Sequence, residues 1–135
     1  MTIEVRRQPA TKMAQTVTIG ATTFTTDLSV AEGGDDAGPG AHDLYDASLG
    51  ACKALTVTCY AKRKGIPIED IAVSIDRDAS QERAGTYRLT SRLQIRGAFT
   101  DAQLRELQAV ADKCPVHKLM TVVTTSITTE IVRIP

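Results

Sequence analysis

The hydrophobic pattern is most distinctive over residues 43–64, where the sequence LYDASLGACKALTVTCYAKRK predicts a long helix. At about 100° per residue, four polar side chains of this helix fall in one narrow stripe, namely Asp46, Lys53, Tyr60 and Lys64. An ordinary surface helix has a much broader polar face. The pattern therefore predicts a central helix that the rest of the protein encloses, with only this stripe facing solvent.

The two flanks of the predicted helix differ in size. One flank carries small side chains only, which lets another backbone approach closely: Ala47, Gly50, Ala51, Ala54, Thr58 and Ala61. The opposite flank carries larger side chains: Tyr45, Leu49, Cys52, Thr56 and Cys59. The thiol of Cys52 is therefore predicted to lie in packed protein. Gly65 suits the left-handed conformation that closes helices, and Pro67 follows just beyond it.

Before this helix, alternation of polar and apolar residues predicts short strands. They are expected at residues 2–7, 15–19 and 22–27, with a hairpin turn at Gly20 and Ala21. Residues 29–40, SVAEGGDDAGPG, show no periodicity and are rich in glycine and acidic residues. They predict a mobile loop that leads into the helix.

After the helix, the same alternation predicts a hairpin with strands at residues 71–75 and 87–95. Residues 120–134 are rich in Val, Thr and Ile and predict a closing strand. With no internal repeat, the pattern indicates one domain over residues 1–135. Its antiparallel sheets accompany a long buried central helix and a second helix.

The second helix is predicted to begin at Thr100, because Thr100 and Gln103 have the spacing of a capping box. Its apolar side chains lie in an arc of about 80°: Leu104, Leu107, Ala111 and Cys114. Pro115 disfavours helical geometry at the preceding residue, which places Cys114 at the C-terminal end of this helix. The Cys114 thiol is thus expected to face inward.

Composition and charge exclude several classes of function. Lys plus Arg and Asp plus Glu number 16 each, and no basic cluster suggests a nucleic-acid or membrane surface. The first residues lack an apolar core, and Lys53 interrupts the most apolar stretch, so we expect neither a signal peptide nor a spanning helix. The expected compartment is the cytoplasm. There, three cysteines argue against a disulfide framework and leave catalysis, redox sensing, metal binding or core packing.

The spacing of the cysteines separates their expected roles. Cys59 follows Cys52 by about two helical turns, or roughly 10 Å, so these two sulfurs cannot bond to each other. Cys59 is best explained as an inert core residue. Cys52 and Cys114 lie on different helices and both point inward. The C-terminal end of a helix disfavours a thiolate, so Cys114 suits the role of second thiol better than that of first attacker.

A metal site is the alternative interpretation of the same residues. Cys114 and His117 have a C-x2-H spacing, to which Cys52 and Cys59 could add sulfur ligands. Structural zinc sites favour a tighter pair of cysteines than the C-x6-C spacing on one continuous helix. His117 suits a structural role as well as a functional one, and His42 could be an ordinary residue of the first helical turn.

The two cysteine-containing segments, LYDASLGACKALTVTCYAKRKGIPIEDI and LQAVADKCPVHKLM, resemble the OsmC and organic hydroperoxide resistance family, most closely its small branch with the CPVH sequence. The resemblance covers about residues 38–131. It implies an OsmC-like α+β fold in which two chains intertwine into an obligate homodimer with their long helices crossing.

The same resemblance implies thiol-dependent reduction of small organic hydroperoxides. Cys52 matches the peroxidatic cysteine and Cys114 the resolving cysteine. An external dithiol, such as a lipoylated protein, would reset the pair, and no bound cofactor or metal is expected. The alternative is a non-catalytic OsmC-like stress or ligand-binding protein whose cysteines are structural or redox-sensing.

The chain departs from the family pattern in the groups around the thiolate. Better-studied members have a glutamate ten residues before the peroxidatic cysteine, where this chain has His42, and an arginine from an early strand that has no evident counterpart. Other residues are candidates for the supporting positive charge: Arg6, Arg7, Arg88, Arg92, His117 and Lys118.

Overall fold

Five strands and three helices make up the chain in a computed structural model, which describes residues 1–135. In chain order they are β1 (Ile3–Arg7), β2 (Gln15–Ile19), β3 (Thr22–Thr26), α1 (Ala41–Lys64), β4 (Asp70–Asp78), β5 (Arg88–Arg96), α2 (Asp101–Ala111) and α3 (Pro115–Thr121). The strands form two antiparallel sheets, β1-β2-β3 and β4-β5. The predicted α+β class is confirmed.

Two compact units divide the chain, Met1–Ser48 and Leu49–Pro135, and the division falls within α1. The single domain over residues 1–135 that the sequence indicates stays a prediction. No helix is long and apolar enough to cross a membrane.

The N-terminal unit contains the three predicted strands. Val17 of β2 is buried and pairs with Val5 of β1 on one side and Phe24 of β3 on the other. The β2–β3 turn falls at Gly20, which has a positive φ of 59°, as a tight hairpin turn requires. All five residues of β1 are exposed.

The loop between β3 and α1 is organised by Asp27. Its carboxylate accepts hydrogen bonds from the backbone amides of Leu28, Asp35 and Ala37 at 2.8, 3.1 and 3.2 Å. Burial alone would raise the pKa of Asp27, but the three amides outweigh it and lower that pKa below its usual value. Apart from a short 3-10 turn at Val30–Glu32 the loop is irregular, as predicted. Its mobility stays a prediction.

The C-terminal unit packs the second half of α1 against α2. Its buried core consists of Val57, Ala61, Ile66, Leu107 and Ala111. The β4–β5 hairpin alternates exposed and half-buried residues along both strands, and Leu93 and Ile95 contact this core. Burying a leucine-sized side chain contributes about 1.5–3 kcal/mol, so this cluster fixes the position of α2 on α1.

The polar stripe of α1 does not face solvent as predicted. Asp46 is only 6% exposed and Lys53 only 2% exposed. Tyr60 is half-buried and donates a hydrogen bond to Glu106 on α2, and Lys64 alone is exposed. The prediction was wrong for Asp46 and Lys53 because it took polarity as evidence of exposure. A buried polar group is stable where it has hydrogen-bond partners.

The predicted small flank of α1 is covered at some residues and exposed at others. A Cβ added at Gly50 would lie 3.2 Å from Cγ1 of Ile75, so Gly50 faces β4 of its own chain. Ala61 is buried, whereas Ala47, Ala51 and Thr58 are exposed. Leu55 is 70% exposed. Within one chain, therefore, one side of α1 is covered and the other is open. Gly65 ends the helix with a positive φ of 70°, as predicted.

The capping box of the second helix is confirmed by two reciprocal hydrogen bonds between Thr100 and Gln103. The predicted end of that helix is wrong, because α2 stops at Ala111. Cys114 is instead the N-cap of α3, with Pro115 in the first helical position, where its missing N–H costs nothing. The sequence analysis missed α3, although proline at this place favours a new helix start.

The predicted closing strand at residues 120–134 is also wrong. Residues up to Thr121 belong to α3, and residues 122–135 form neither helix nor strand. Their valine and isoleucine side chains are exposed. β-branched residues favour strands mainly through packing and pairing with a neighbouring strand, and none pairs with this segment within the chain.

Candidate thiol site

Cys52 and Cys114 meet at the junction of α1 and α3. Cys52 lies in the middle of α1 and is partly buried, while Cys114 precedes α3 and is 0% exposed. Two consecutive backbone amides of α3 point at the two sulfurs: Val116 N lies 3.5 Å from Cys52 Sγ and His117 N lies 3.4 Å from Cys114 Sγ. The sulfurs therefore lie close together, and each cysteine shifts the pKa of the other. The structure thus brings together the two cysteines that the resemblance pairs. Cys59 is exposed on α1, so its predicted place in the core is wrong.

Hydrogen-bond donors surround the sulfur of Cys52. The backbone amide of Val116 lies 3.5 Å from Sγ and the hydroxyl of Thr56 lies 3.8 Å from it. Burial by itself would raise the pKa of the Cys52 thiol. The Val116 amide, the Thr56 hydroxyl, the Cys114 thiol and the charge of Lys53 together outweigh burial, so that the pKa is lowered from its ordinary value. Cys52 is therefore the more easily ionised thiol of the pair.

The pKa of the Cys114 thiol is shifted in the opposite direction, upward. Burial raises the pKa of its thiol, and the neighbouring Cys52 adds to this effect, although the backbone amide of His117 donates to its Sγ at 3.4 Å. The expectation from the sequence was that Cys114 lies at the negative end of a helix, which would also disfavour a thiolate. That expectation is wrong, because Cys114 lies at the start of α3, where the helix polarity favours an anion.

Lys53 completes the site, and the sequence analysis missed it. Its ammonium donates to the carbonyl oxygen of Ala111 at 2.8 Å and to Nδ1 of His117 at 3.1 Å. An ammonium has donors only, so Nδ1 accepts and the ring hydrogen lies on Nε2. The positive charge favours the thiolate form of both cysteines. One sequence signal could have indicated this role for Lys53: it directly follows Cys52 in a helix that is predicted to be enclosed.

Of the other predicted supporting residues, His117 is half-buried and contacts Lys53, and the rest are exposed. His42 is exposed in the first turn of α1, in the N-terminal unit. Lys118 is exposed on α3. The four arginines are exposed as well, two on β1 and two on β5: Arg6, Arg7, Arg88 and Arg92. Of the candidate charges in the C-terminal unit, the structure thus joins His117 to the thiol pair through Lys53.

The structure contains no group of three His, Cys, Asp or Glu side chains able to hold a metal ion. Nδ1 of His117 already accepts a hydrogen bond from the Lys53 ammonium. Two cavities of the C-terminal unit, of about 480 and 70 Å³, have no cysteine in their linings. The first borders Lys62, Ile66 and Glu69, and the second lies between β5 and α2.

Solved structures share this fold at low sequence identity. An OsmC-like protein from Mycoplasma pneumoniae superposes with a TM-score of 0.72 at 18% identity, covering 90% of this chain and 87% of its own. An OsmC-like protein of unknown function from Vibrio cholerae gives 0.66 at 16% identity, covering 97% and 96%. The organic hydroperoxide resistance protein OhrB of Bacillus subtilis gives 0.58 at 21% identity, covering 90% and 92%. At these identities the likeness establishes the fold.

No curated protein matches the sequence. The family model for the OsmC-like protein, however, matches residues 33–130, which include α1, both sheet strands of the C-terminal unit, the thiol pair and α3. This match covers well over half of the chain. The chain therefore belongs to the OsmC-like protein family.

Proposed function

We propose that this protein is a thiol-dependent peroxidase that reduces small organic hydroperoxides in defence against oxidative or osmotic stress, with Cys52 as the attacking thiol and Cys114 as the resolving thiol. The observation that carries the proposal is the convergence of two cysteines at the start of α3, where the adjacent amides of Val116 and His117 donate to the sulfurs of Cys52 and Cys114. The pKa of Cys52 is lowered, and Cys114 is buried. Membership of the OsmC-like family and similarity to the organic hydroperoxide resistance protein of Bacillus subtilis support the substrate class.

In the first step, the Cys52 thiolate attacks the terminal oxygen of the hydroperoxide. An S–O bond forms and the O–O bond breaks, which gives a sulfenic acid and an alkoxide that takes up a proton to become an alcohol. Thiolate, rather than thiol, is the nucleophile. The donors from Val116 and Thr56 therefore favour the reactive form of Cys52.

In the second step, the Cys114 sulfur attacks the sulfenic sulfur of Cys52. A disulfide forms and the hydroxyl of the sulfenic acid leaves as water, so the two thiols supply the two electrons that the peroxide gains. An external dithiol then reduces the disulfide by exchange. A lipoylated protein is the partner that we propose for this last step. The donation of two adjacent α3 amides to the two sulfurs supports a second step that needs little movement of the chain.

We also propose that two chains form an obligate homodimer. Leu55 on the open side of α1 is 70% exposed, and apolar side chains of the C-terminal segment are as exposed, among them Val122, Ile127 and Ile131. Large apolar side chains exposed along a whole segment, as between Val122 and Ile134, are typical of a surface that a partner covers. Light scattering at decreasing protein concentration tests this proposal. We expect one dimeric species, and a folded monomer would contradict the proposal.

The alternative function is a non-catalytic stress or ligand-binding protein with structural or redox-sensing cysteines. It is favoured by the complete burial of Cys114, since buried cysteines are often inert. Cumene hydroperoxide with an excess of dithiol separates the two functions. A peroxidase consumes many equivalents of peroxide, and Cys52→Ser abolishes this consumption. A single slow oxidation without turnover would support the alternative.

A further inference from the structure

Lys53 is a buried lysine for which packing gives no explanation. Its side chain is 2% exposed in the middle of α1, one residue after Cys52. Lysine is almost never fully buried unless it is paired, because removing an ammonium from water costs several kcal/mol even after relaxation. A methionine would fill the same space without this cost. The position therefore needs the charge or the hydrogen bonds of the ammonium.

The two hydrogen-bond acceptors of Lys53 lie on either side of Cys114. Ala111 is the last residue of α2, and His117 is in the first turn of α3. The ammonium thus ties both ends of the segment that contains Cys114 to the helix that contains Cys52. The same segment includes Val116, whose amide donates to the Cys52 sulfur.

The charge of Lys53 is not cancelled by these two partners. A carbonyl oxygen and an imidazole nitrogen are neutral acceptors, so they satisfy hydrogens of the ammonium without removing its charge. The charge acts on both sulfurs. When Cys52 is a thiolate, an anion lies beside the buried cation. When the two cysteines form a disulfide, both sulfurs are neutral and the cation loses this anion.

We propose that Lys53 is the positioning residue of the thiol pair, which holds the Cys114 segment over Cys52 and favours the reduced, thiolate state over the disulfide. Its importance for turnover rests on the proposed peroxidase function. Its effects on ionisation and on the disulfide equilibrium do not. The groups that face the two sulfurs are the Thr56 hydroxyl from α1 and the backbone amides of Val116 and His117 from α3. The charge of Lys53 acts on both sulfurs.

Three variants test the proposal by alkylation of Cys52 as a function of pH, followed by peptide mass spectrometry. Lys53→Met removes the charge and both hydrogen bonds, and we expect the pH midpoint to rise, because a cation favours the thiolate and its loss favours the thiol. Lys53→Arg keeps the charge and should restore most of the wild-type midpoint. Lys62→Met is the matched control, since Lys62 is exposed on the same helix, and should leave the midpoint unchanged.

The disulfide equilibrium gives a second signature that a merely structural residue would not produce. Because the reduced state loses its charge partner, Lys53→Met should make the Cys52–Cys114 disulfide harder to reduce. We expect the equilibrium constant for reduction of this disulfide by dithiothreitol to fall about tenfold. For this two-electron couple, the reduction potential then falls by about 30 mV. Lys53→Gln keeps a hydrogen-bond donor without the charge and repeats the measurement if the methionine variant does not fold.

Two outcomes would overturn the proposal. One is an unshifted midpoint together with an unshifted disulfide equilibrium in a folded methionine or glutamine variant. The other is loss of folding in both variants, which would assign Lys53 a purely structural role. Neither measurement uses peroxide. If the wild-type protein shows no turnover while the shifts are found, the proposed function fails and the role of Lys53 stands.

Discussion

Thr56→Val isolates one of the hydrogen bonds that favour the Cys52 thiolate. Thr56 lies one helical turn after Cys52, with its hydroxyl 3.8 Å from Sγ. A thiolate has no hydrogen to give, so the hydroxyl must be the donor when Cys52 is ionised. Valine has nearly the same shape and a similar helix propensity but no hydroxyl. The substitution therefore removes the donor while the packing is kept.

The size of the effect follows from the geometry. A net intramolecular hydrogen bond contributes about 0.5–1.5 kcal/mol, and the long distance to sulfur places this one near about 0.5 kcal/mol. One pKa unit corresponds to about 1.36 kcal/mol, so the pKa of Cys52 should rise by about 0.4 unit in Thr56→Val. The sign is upward because a donor to the charged form is lost. Below that pKa, the thiolate fraction and the alkylation rate should fall about 2.5-fold.

The assay is the rate of iodoacetamide alkylation at Cys52 across its titration, resolved by peptide mass spectrometry. Thr58→Val is the matched control, because Thr58 is exposed two residues further along the same helix. We expect the control to follow the wild-type profile. A Thr56→Val profile that coincides with the wild type, or an equal shift in both variants, would show that the hydroxyl does not act on the Cys52 sulfur.

Three further predictions concern stability and the third cysteine. Leu107→Ala removes a side chain that is 1% exposed and should lower the free energy of unfolding by about 2–5 kcal/mol, whereas Leu104→Ala, at 45% exposed, should cost less than about 1 kcal/mol in the same denaturant titration. Asp27 has a lowered pKa, so its contribution to the free energy of unfolding is present above its unfolded pKa of about 3.9 and is lost as the pH falls through the folded pKa. In Asp27→Asn the free energy of unfolding should therefore fall less steeply at acid pH, and the same pH dependence as in the wild type would refute this prediction. Cys59→Ser should retain both oxidation steps in a peroxide assay, since Cys59 is exposed and apart from the thiol pair.

Local signals predicted most of the fold. Alternation and the hairpin turn at Gly20 located β2 to β5, and a short strand was also expected where β1 lies. The capping box at Thr100 located the start of α2, and Gly65 located the end of α1. Each of these features depends on residues close together in the sequence. Local signals were not sufficient for the segment 122–135. A strand needs a neighbouring strand to pair with, and the β-branched composition of this segment does not show whether one is present.

The candidate site was predictable in part. The two cysteines could be paired from their segments, but their surroundings depend on contacts across 58 and 64 positions of sequence, from Lys53 to Ala111 and to His117. Polarity alone placed Lys53 in solvent, because sequence shows which groups are polar and not where their partners lie. The helix start at Pro115 reversed the expected polarity at Cys114 for a similar reason.

Intact-mass analysis after one equivalent of organic hydroperoxide tests the Cys52–Cys114 redox pair most directly. The account predicts that the wild-type protein loses about 2 Da as the disulfide closes, and that Cys114→Ser gains about 16 Da, the oxygen of a sulfenic acid, or more on over-oxidation. Cys52→Ser should keep its mass. Loss of about 2 Da in Cys52→Ser, or a wild-type disulfide that contains Cys59, would contradict the account.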